Sequence, residues 1–427
     1  MNLNIPSDIR FILSKLEEEG FEAYLTGREL FELISSQNIH SCTVTTNAQY
    51  AYIKRIFPKT VETNNGNINI IHKGIGYDIR IMDNETITDI CNKAVFTINS
   101  MAYSIKTGLI DKHNAMEDIK HRLIRSVKTD ENIFLQRPLS MLKAITLCAV
   151  LDYRLEDKTR ICITKSSAAV KRVKSEKVFR EINRILLSPH PDYIRMLHET
   201  NTLCYIMPQL NRCFGETQRN KYHIYDVGEH IMHALTYVRS DKVLRWATLL
   251  HDIGKPLTSS TDENGIIHFY GHYKESKNIG ETILRQFRMD SDEIREILLL
   301  IENHDVRIDT SSVAVKRMMS RLGSELFLKL LELQAADNMA KNMIYFPAKK
   351  EKLDNIKRIH SEVIASNEPY SVNHLMINSR DLASIGFKKG RMMADALKSL
   401  VNEVIVNPSL NNREYLIKRA KQIYTRH

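Results

Sequence analysis

Seven of the sixteen histidines in this chain fall between His223 and His304, a window of 82 residues that an even spread would give about three. Such a cluster needs a local cause. Apolar residues recur at helical spacing through Ile231, Leu235 and Val238, and Trp246, Leu249 and Leu250 lead into the pair His251-Asp252, followed by Gly254 and Lys255. The window therefore reads as helical, with an imidazole and a carboxylate adjacent at the end of a buried run. Together the two can bind one divalent cation, and the carboxylate can reach a second. A His-Asp dipeptide arises often by chance, so its meaning depends on what the rest of the chain brings to it.

The chain has 427 residues, 43% hydrophobic and 26% charged, which suits several folded cores. A formal charge of +10 and a pI near 9.1 fit a partner with a phosphate backbone, and equally a solvated basic surface. The six cysteines, at 42, 91, 148, 162, 204 and 213, show no C-x-x-C spacing and read as reduced thiols. The start, Met1 to Pro6, has no basic region leading into an apolar core, and no apolar run approaches the ~18 residues of a membrane span. These features predict a cytoplasmic protein.

In the first third, Ile9, Ile12, Leu13 and Leu16 predict an amphipathic helix over 7–20. Strands are expected at 22–26, 43–46, 68–71, 77–82 and 96–104, with a helix over 49–56, in a mixed or antiparallel sheet. The segments Tyr24-Leu25-Thr26-Gly27, Phe57-Pro58-Lys59-Thr60-Val61, Phe96-Thr97-Ile98-Asn99-Ser100-Met101-Ala102-Tyr103 and Gly108-Leu109-Ile110-Asp111 resemble the head of the bacterial tRNA nucleotidyltransferase and poly(A) polymerase family. In that family a Gly-Gly pair cradles triphosphate and an Asp-x-Asp holds two magnesium ions. Here Gly27-Arg28 takes the first place and Ser41-Cys42-Thr43 the second, so hydroxyls stand where anionic oxygens are needed. Asp78 keeps a third carboxylate. Lys93-Ala94-Val95 replaces the Arg-Arg-Asp before Phe-Thr-Ile-Asn, and Gln136-Arg137-Pro138-Leu139-Ser140 replaces the nucleotide-selecting Glu-Asp-x-x-Arg. These departures predict an inactive polymerase head.

Residues 139–200 read as helices, with nine basic side chains against two acidic ones between Lys158 and Arg184. Lys171, Arg172 and Lys174 in this stripe are candidates for RNA phosphate contacts, a solvated face being the plain alternative. The tail is also helical and basic. Asn373 to Leu382 and Ile385 to Arg391 are similar to the tail of the same family, which makes Lys388, Lys389 and Arg391 phosphate-contact candidates.

The histidine window, through His268-Phe269-Tyr270-Gly271-His272, resembles an HD-superfamily phosphohydrolase domain. The resemblance assigns His230, His251, Asp252, His272, His304 and Asp337 as metal ligands. The steps 230→251, 252→272, 272→304 and 304→337 are 21, 20, 32 and 33 residues, which puts each ligand region on its own helix facing one bundle core. Four imidazoles and two carboxylates suit Mn, Fe, Co, Ni or Zn, with Mg also allowed. A bridging Asp252 would permit two ions, and a mononuclear site of His230, His251, Asp252 and Asp337 would leave His272 and His304 for substrate. His251, Asp252 and Lys255 are the catalytic candidates, Lys255 through a phosphate oxygen. His223, His233 and His268 are expected to be supporting.

The expected fold is α+β: a small nucleotidyltransferase-like α/β head over 1–125, an all-α neck over 126–205, an HD-type helical domain over 206–345 and a helical tail over 346–427. The expected function is a metal-dependent phosphohydrolase or phosphodiesterase acting on an RNA-terminal 2′,3′-cyclic or terminal phosphate or on a nucleotide, the inactive head serving to bind RNA or nucleotide. A working CCA-adding enzyme and a non-catalytic tRNA-binding protein are the alternatives. No membrane partner is expected, and a homo-oligomer stays open.

Overall fold

The computed structural model describes residues 3, 5–35, 42–62, 68–218 and 222–425. It packs as two units, Met1–Ile206 and Met207–His427. The α+β expectation is met, with the main sheet in the first unit and helices making up most of the second.

The first unit opens with α1 (Ser7–Glu18), which buries Ile9, Ile12, Leu13 and Leu16 along one stripe. Seven strands follow in chain order: β1 (Ala23–Thr26), β2 (Thr43–Thr46), β3 (Thr60–Glu62), β4 (Ile68–His72), β5 (Ile75–Ile81), β6 (Ala102–Ser104) and β7 (Gly108–Ile110). They form one sheet in the order β3-β4-β5-β2-β1-β6-β7, in which only β2 and β5 run parallel. Leu25, Val44 and Ile79 face the core shared with α1, each such side chain contributing roughly 2 kcal/mol by leaving water.

The strand expected over 96–104 is half wrong. Thr97–Asn99 is a 3-10 turn and only Ala102–Ser104 pairs as a strand. Side chains close the turn: Thr97 Oγ1 donates to Asp118 at 2.5 Å and Ser100 Oγ to the Thr97 carbonyl at 2.7 Å, a local bonding route that competes with a ladder. Beyond the sheet, α2 (Leu139–Leu151) and α3 (Ser175–Leu186) pack on each other, α3 through Val178, Ile182, Ile185 and Leu186.

In the second unit, α4 (Val227–Thr236), α5 (Lys242–Leu250), α6 (His272–Gln286), α7 (Ser291–Asn303) and α8 (Ser324–Met339) form a bundle around the buried Trp246. A hairpin of β8 (Ser259–Thr261) and β9 (Ile267–Phe269) lies between α5 and α6 in sequence. Helix α9 (Phe346–Ala365) packs on α8, and α10 (Arg391–Val406) and α11 (Arg413–Tyr424) share a smaller core with Leu382 and Phe387. All six cysteines are unpaired, five of them buried. Among the described residues no helix is long and apolar enough to cross a membrane.

Candidate metal centre

Helix ends bring the polar side chains of the second unit together. Asp226 caps α4 by accepting from the Glu229 amide at 2.7 Å, and Val227, Ile231 and Ala234 turn the same face of that helix, with His230 on it, into the bundle. Asp241 caps α5 in the same way, and His251 sits at the far end of α5 with Asp252 next to it. His272 is the first residue of α6, His304 follows the last turn of α7, and Asp337 lies on the buried face of α8.

Each of the four rings is oriented by a backbone carbonyl. His230 Nδ1 faces the Ala340 oxygen at 3.2 Å, His251 Nδ1 the Thr248 oxygen at 2.7 Å, His272 Nδ1 the Phe269 oxygen at 2.9 Å and His304 Nδ1 the Ile301 oxygen at 2.7 Å. A carbonyl only accepts, so each Nδ1–H donates and each Nε2 is turned toward the cluster. There the Nε2 atoms meet other acceptors. His230 Nε2 is 3.0 Å from Asp337 Oδ1, His251 Nε2 is 3.2 Å from Asp252 Oδ2, and His272 Nε2 is 3.2 Å from His304 Nε2.

Asp252 belongs to both halves of this arrangement. Its Oδ2 faces His230 and His251 at 3.4 and 3.2 Å, and its Oδ1 faces His272 and His304 at 3.3 and 3.7 Å. Two donor sets result, His230/His251/Asp252/Asp337 and Asp252/His272/His304, each with its ligand atoms within 4.8 Å of one another. His251 Nε2 and Asp252 Oδ2 are buried without a hydrogen bond, although Lys255 Nζ approaches that oxygen at 2.6 Å as an ion pair. Lone pairs converging in a dry site, two of them unsatisfied, fit one or two divalent cations. When bound, such a cation acidifies water and offsets charge on phosphoryl oxygens.

Lys255 is 7% exposed and also donates to Gln218 at 2.8 Å, so its ammonium is spent on Asp252 and an amide. Lys341, which sequence reasoning missed, does the same for Asp337 at 2.6 Å. It follows Asp337 by four residues, a spacing that was the available signal. Burial opposes ionisation of both carboxylates, yet His251 and Lys255 hold Asp252, and Lys341 with His230 holds Asp337, well below the usual carboxylate range. Burial and the charge on Lys255 push His223 down to about 2, which keeps it neutral.

A pH dependence follows from His251. Burial works against its charged form, but Asp252 and Asp337 outweigh burial and raise its pKa from 6.5 to about 9 in the metal-free protein. A raised folded pKa gives stability that is full below 6.5 and lost as pH climbs through 9, on the order of 3 kcal/mol at ~1.4 kcal/mol per unit. Thermal unfolding of chelator-treated protein is therefore expected to weaken from pH 6.5 to 9. Metal affinity should strengthen about tenfold per pH unit over the same interval, because the His251 proton must leave first. A metal-free Tm that rises across this window would contradict the reading.

In the first unit, Thr43 lies opposite Asp78 in the parallel pairing of β2 and β5, and Asn69 Nδ2 donates to Asp78 at 3.1 Å. Gly27 adopts φ 74° ahead of the short helix Arg28–Ile34, and the Arg28 guanidinium pairs with Glu32 at 2.6 Å. Gln136 ends a short helix and is exposed. Ser41 lies outside the described residues. Lys171, Arg172 and Lys174 are exposed, Lys171 lying over the Tyr205 ring at 4.7 Å and Arg172 donating to the Leu135 carbonyl. Lys388, Lys389 and Arg391 are exposed before and at the start of α10.

Comparison with known proteins agrees with this layout. The HD domain family model matches residues 221–342, and the model described as the probable RNA- and SrmB-binding site of polymerase A matches residues 152–214. The CCA-adding enzyme of Ligilactobacillus salivarius is 24% identical, with 98% of each chain covered. Along its whole length the chain is similar to bacterial tRNA nucleotidyltransferases. An A-adding tRNA nucleotidyltransferase of Deinococcus radiodurans is 30% identical over 57% of this chain and 58% of its own, and the match to the Lactobacillus helveticus CCA-adding enzyme spans about half of that protein. The crystal structure of the Bacillus stearothermophilus CCA-adding enzyme with CTP superposes with a TM-score of 0.71 at 18% identity, covering 99% of this chain and 100% of that one.

These relatives correct the function expected from the sequence. A phosphohydrolase with a disabled head is overturned by the end-to-end match to a protein named for adding CCA. Family members in the comparison are nucleotide-adding enzymes, and the departures at Thr43 and Gln136 do not by themselves make this chain a hydrolase.

Proposed function

We propose that this chain acts on tRNA, adding nucleotides at the 3′ end on the scaffold it has in common with CCA-adding enzymes. The observation that supports this is coverage: the match to the Ligilactobacillus salivarius enzyme runs through 98% of both chains. A Thermotoga maritima CCA-adding enzyme with the same fold was solved with tRNA, at a TM-score of 0.61 and 17% identity. Lys171, Arg172, Lys174, Lys388, Lys389 and Arg391 are the phosphate contacts, chosen because they are exposed and basic. Asp78 is the head carboxylate for a catalytic divalent ion. His230, His251, Asp252, His272, His304 and Asp337 hold a separate metal centre in the second unit.

One observation favours a second reading, a tRNA-binding protein that does not add nucleotides. Asp78 has a threonine and an asparagine as neighbours across its strands, so that part of the head offers a metal a single carboxylate. Incorporation of labelled CTP and ATP into tRNA lacking its CCA end separates the two. Incorporation supports addition, and stoichiometric tRNA binding with no incorporation supports the second reading.

A further inference from the structure

Asp78 stands in a row of side chains that crosses the head sheet. Val61 on β3 lies opposite Asn69 on β4, Asn69 opposite Asp78 on β5, and Asp78 opposite Thr43 on β2. Directly opposite partners in a sheet project to the same face and lie close enough to interact. The one anion of this row is therefore flanked by an amide and a hydroxyl. A carboxylate only accepts, so the Asn69 amide is turned with Nδ2 toward it, donating to Asp78 Oδ1 at 3.1 Å. Among the described residues Asp78 makes no ion pair, and its Oδ2 has no hydrogen bond.

Gly76, two residues before Asp78 on β5, gives that amide its place. A Cβ at Gly76 would lie 2.6 Å from Asn69 Oδ1 and 3.2 Å from both Asn69 Cγ and Asn69 Nδ2. The amide thus rests over the Gly76 backbone, on the diagonal of a ladder in which Gly76 itself faces Ile71. Gly76 is not among the glycines with positive φ, so its backbone conformation is open to any residue. Glycine inside a strand weakens it, and close approach of another group is one reason to find it there. Here the approaching group is the amide that holds Asp78.

We propose that Asn69 is a positioning residue for nucleotide addition: its amide fixes the Asp78 carboxylate with Oδ2 open toward a divalent ion, and Gly76 leaves the space the amide occupies. The role rests on Asp78 being the head carboxylate for that ion. Carboxylates that share an ion orient one another through it, whereas Asp78 is the only carboxylate of its row and takes its orientation from a neighbouring side chain. Asn69 itself touches neither ion nor substrate.

Steady-state incorporation of labelled CTP and ATP into tRNA lacking its CCA end, repeated over a series of magnesium concentrations, tests it. Asn69→Ala should lower kcat roughly 10- to 100-fold and raise the magnesium needed for half-maximal rate, with the KM for tRNA unchanged. Gly76→Ala should reproduce this loss by displacing the amide, and Asn69→Ala/Gly76→Ala should be no slower than Asn69→Ala alone, as for residues that act as a unit. Thermal unfolding gives a readout independent of activity. Gly76→Ala should be more favourable to Tm in the Asn69→Ala background than in the parent, by about 2 °C, because only the parent has an amide to displace. Parent rates and an unchanged magnesium requirement in Asn69→Ala overturn the proposal, as do losses that multiply in the double variant or equal Tm effects of Gly76→Ala in both backgrounds. A parent chain that incorporates no nucleotide removes the addition reading itself, and this role with it.

Discussion

Asp252→Asn is expected to empty both metal positions at once, whereas His272→Ala should lose only one ion. Asp252 gives one oxygen to His230 and His251 and the other to His272 and His304, so both donor sets depend on it. An amide keeps the shape but loses the charge, and its NH2 places a donor against imidazole nitrogens that already have their other N–H on a carbonyl. Since altering even an outer partner of a metal ligand costs about 10- to 100-fold in affinity, losing the shared carboxylate should cost more than about 100-fold. Elemental analysis of purified, dialysed protein reads the result. Full metal content in Asp252→Asn would remove Asp252 from the centre, and equal losses in both variants would argue for a single ion.

Gly254→Ala should be among the most destabilising single substitutions in the second unit. A Cβ at Gly254 would lie 2.5 Å from the Ser276 nitrogen, 2.6 Å from the His272 oxygen and 2.9 Å from the Glu275 carbonyl carbon. All three are backbone atoms of α6, which cannot swing aside as a side chain can. The Gly254 amide also donates to Ser276 Oγ at 2.9 Å, tying the segment after His251-Asp252 to the helix that begins with His272. An added methyl must push these apart, at about 3 kcal/mol for overpacking, or roughly 6–12 °C in Tm for a unit of this size. Thermal unfolding checks the first effect, and loss of the ion held by His272 and His304 checks its consequence for the site. A Tm within ~2 °C of the parent would show that α6 moves freely.

The grouping of the six candidate ligands is legible in the sequence because they sit at helix ends or buried helix faces separated by long intervals. The His-Asp pair at the end of an apolar run, and Gly271-His272 after a hairpin, are local signals that survive without a structure. Lys341 is legible only as the residue four after Asp337, a spacing that many surface lysines share and that points to a buried ion pair only once Asp337 is known to be buried. Lys349 and Lys352 were hidden likewise, as ordinary charged positions at the start of α9 that face a cavity only once α9 packs on α8. In the head, alternation predicts five of the seven strands; it misses the three-residue strands Thr60–Glu62 and Gly108–Ile110, too short to show a period, and overruns at Thr97–Asn99, where hydroxyl groups bond the backbone into a turn. The functional reading failed for a different reason. Residues such as Thr43 and Gln136 read singly suggest lost nucleotide addition, whereas the similarity to a CCA-adding enzyme is spread over 98% of the chain and no short motif carries it.

The most direct test of the account is incorporation of labelled CTP and ATP into tRNA stripped of its CCA end, comparing the parent chain with Asp78→Ala and Asp252→Asn. The account predicts incorporation by the parent, a loss of at least about 100-fold in Asp78→Ala, and near-parent incorporation in Asp252→Asn, whose metal centre is separate. Stoichiometric tRNA binding by the parent with no incorporation, or incorporation that Asp78→Ala leaves intact, would contradict it.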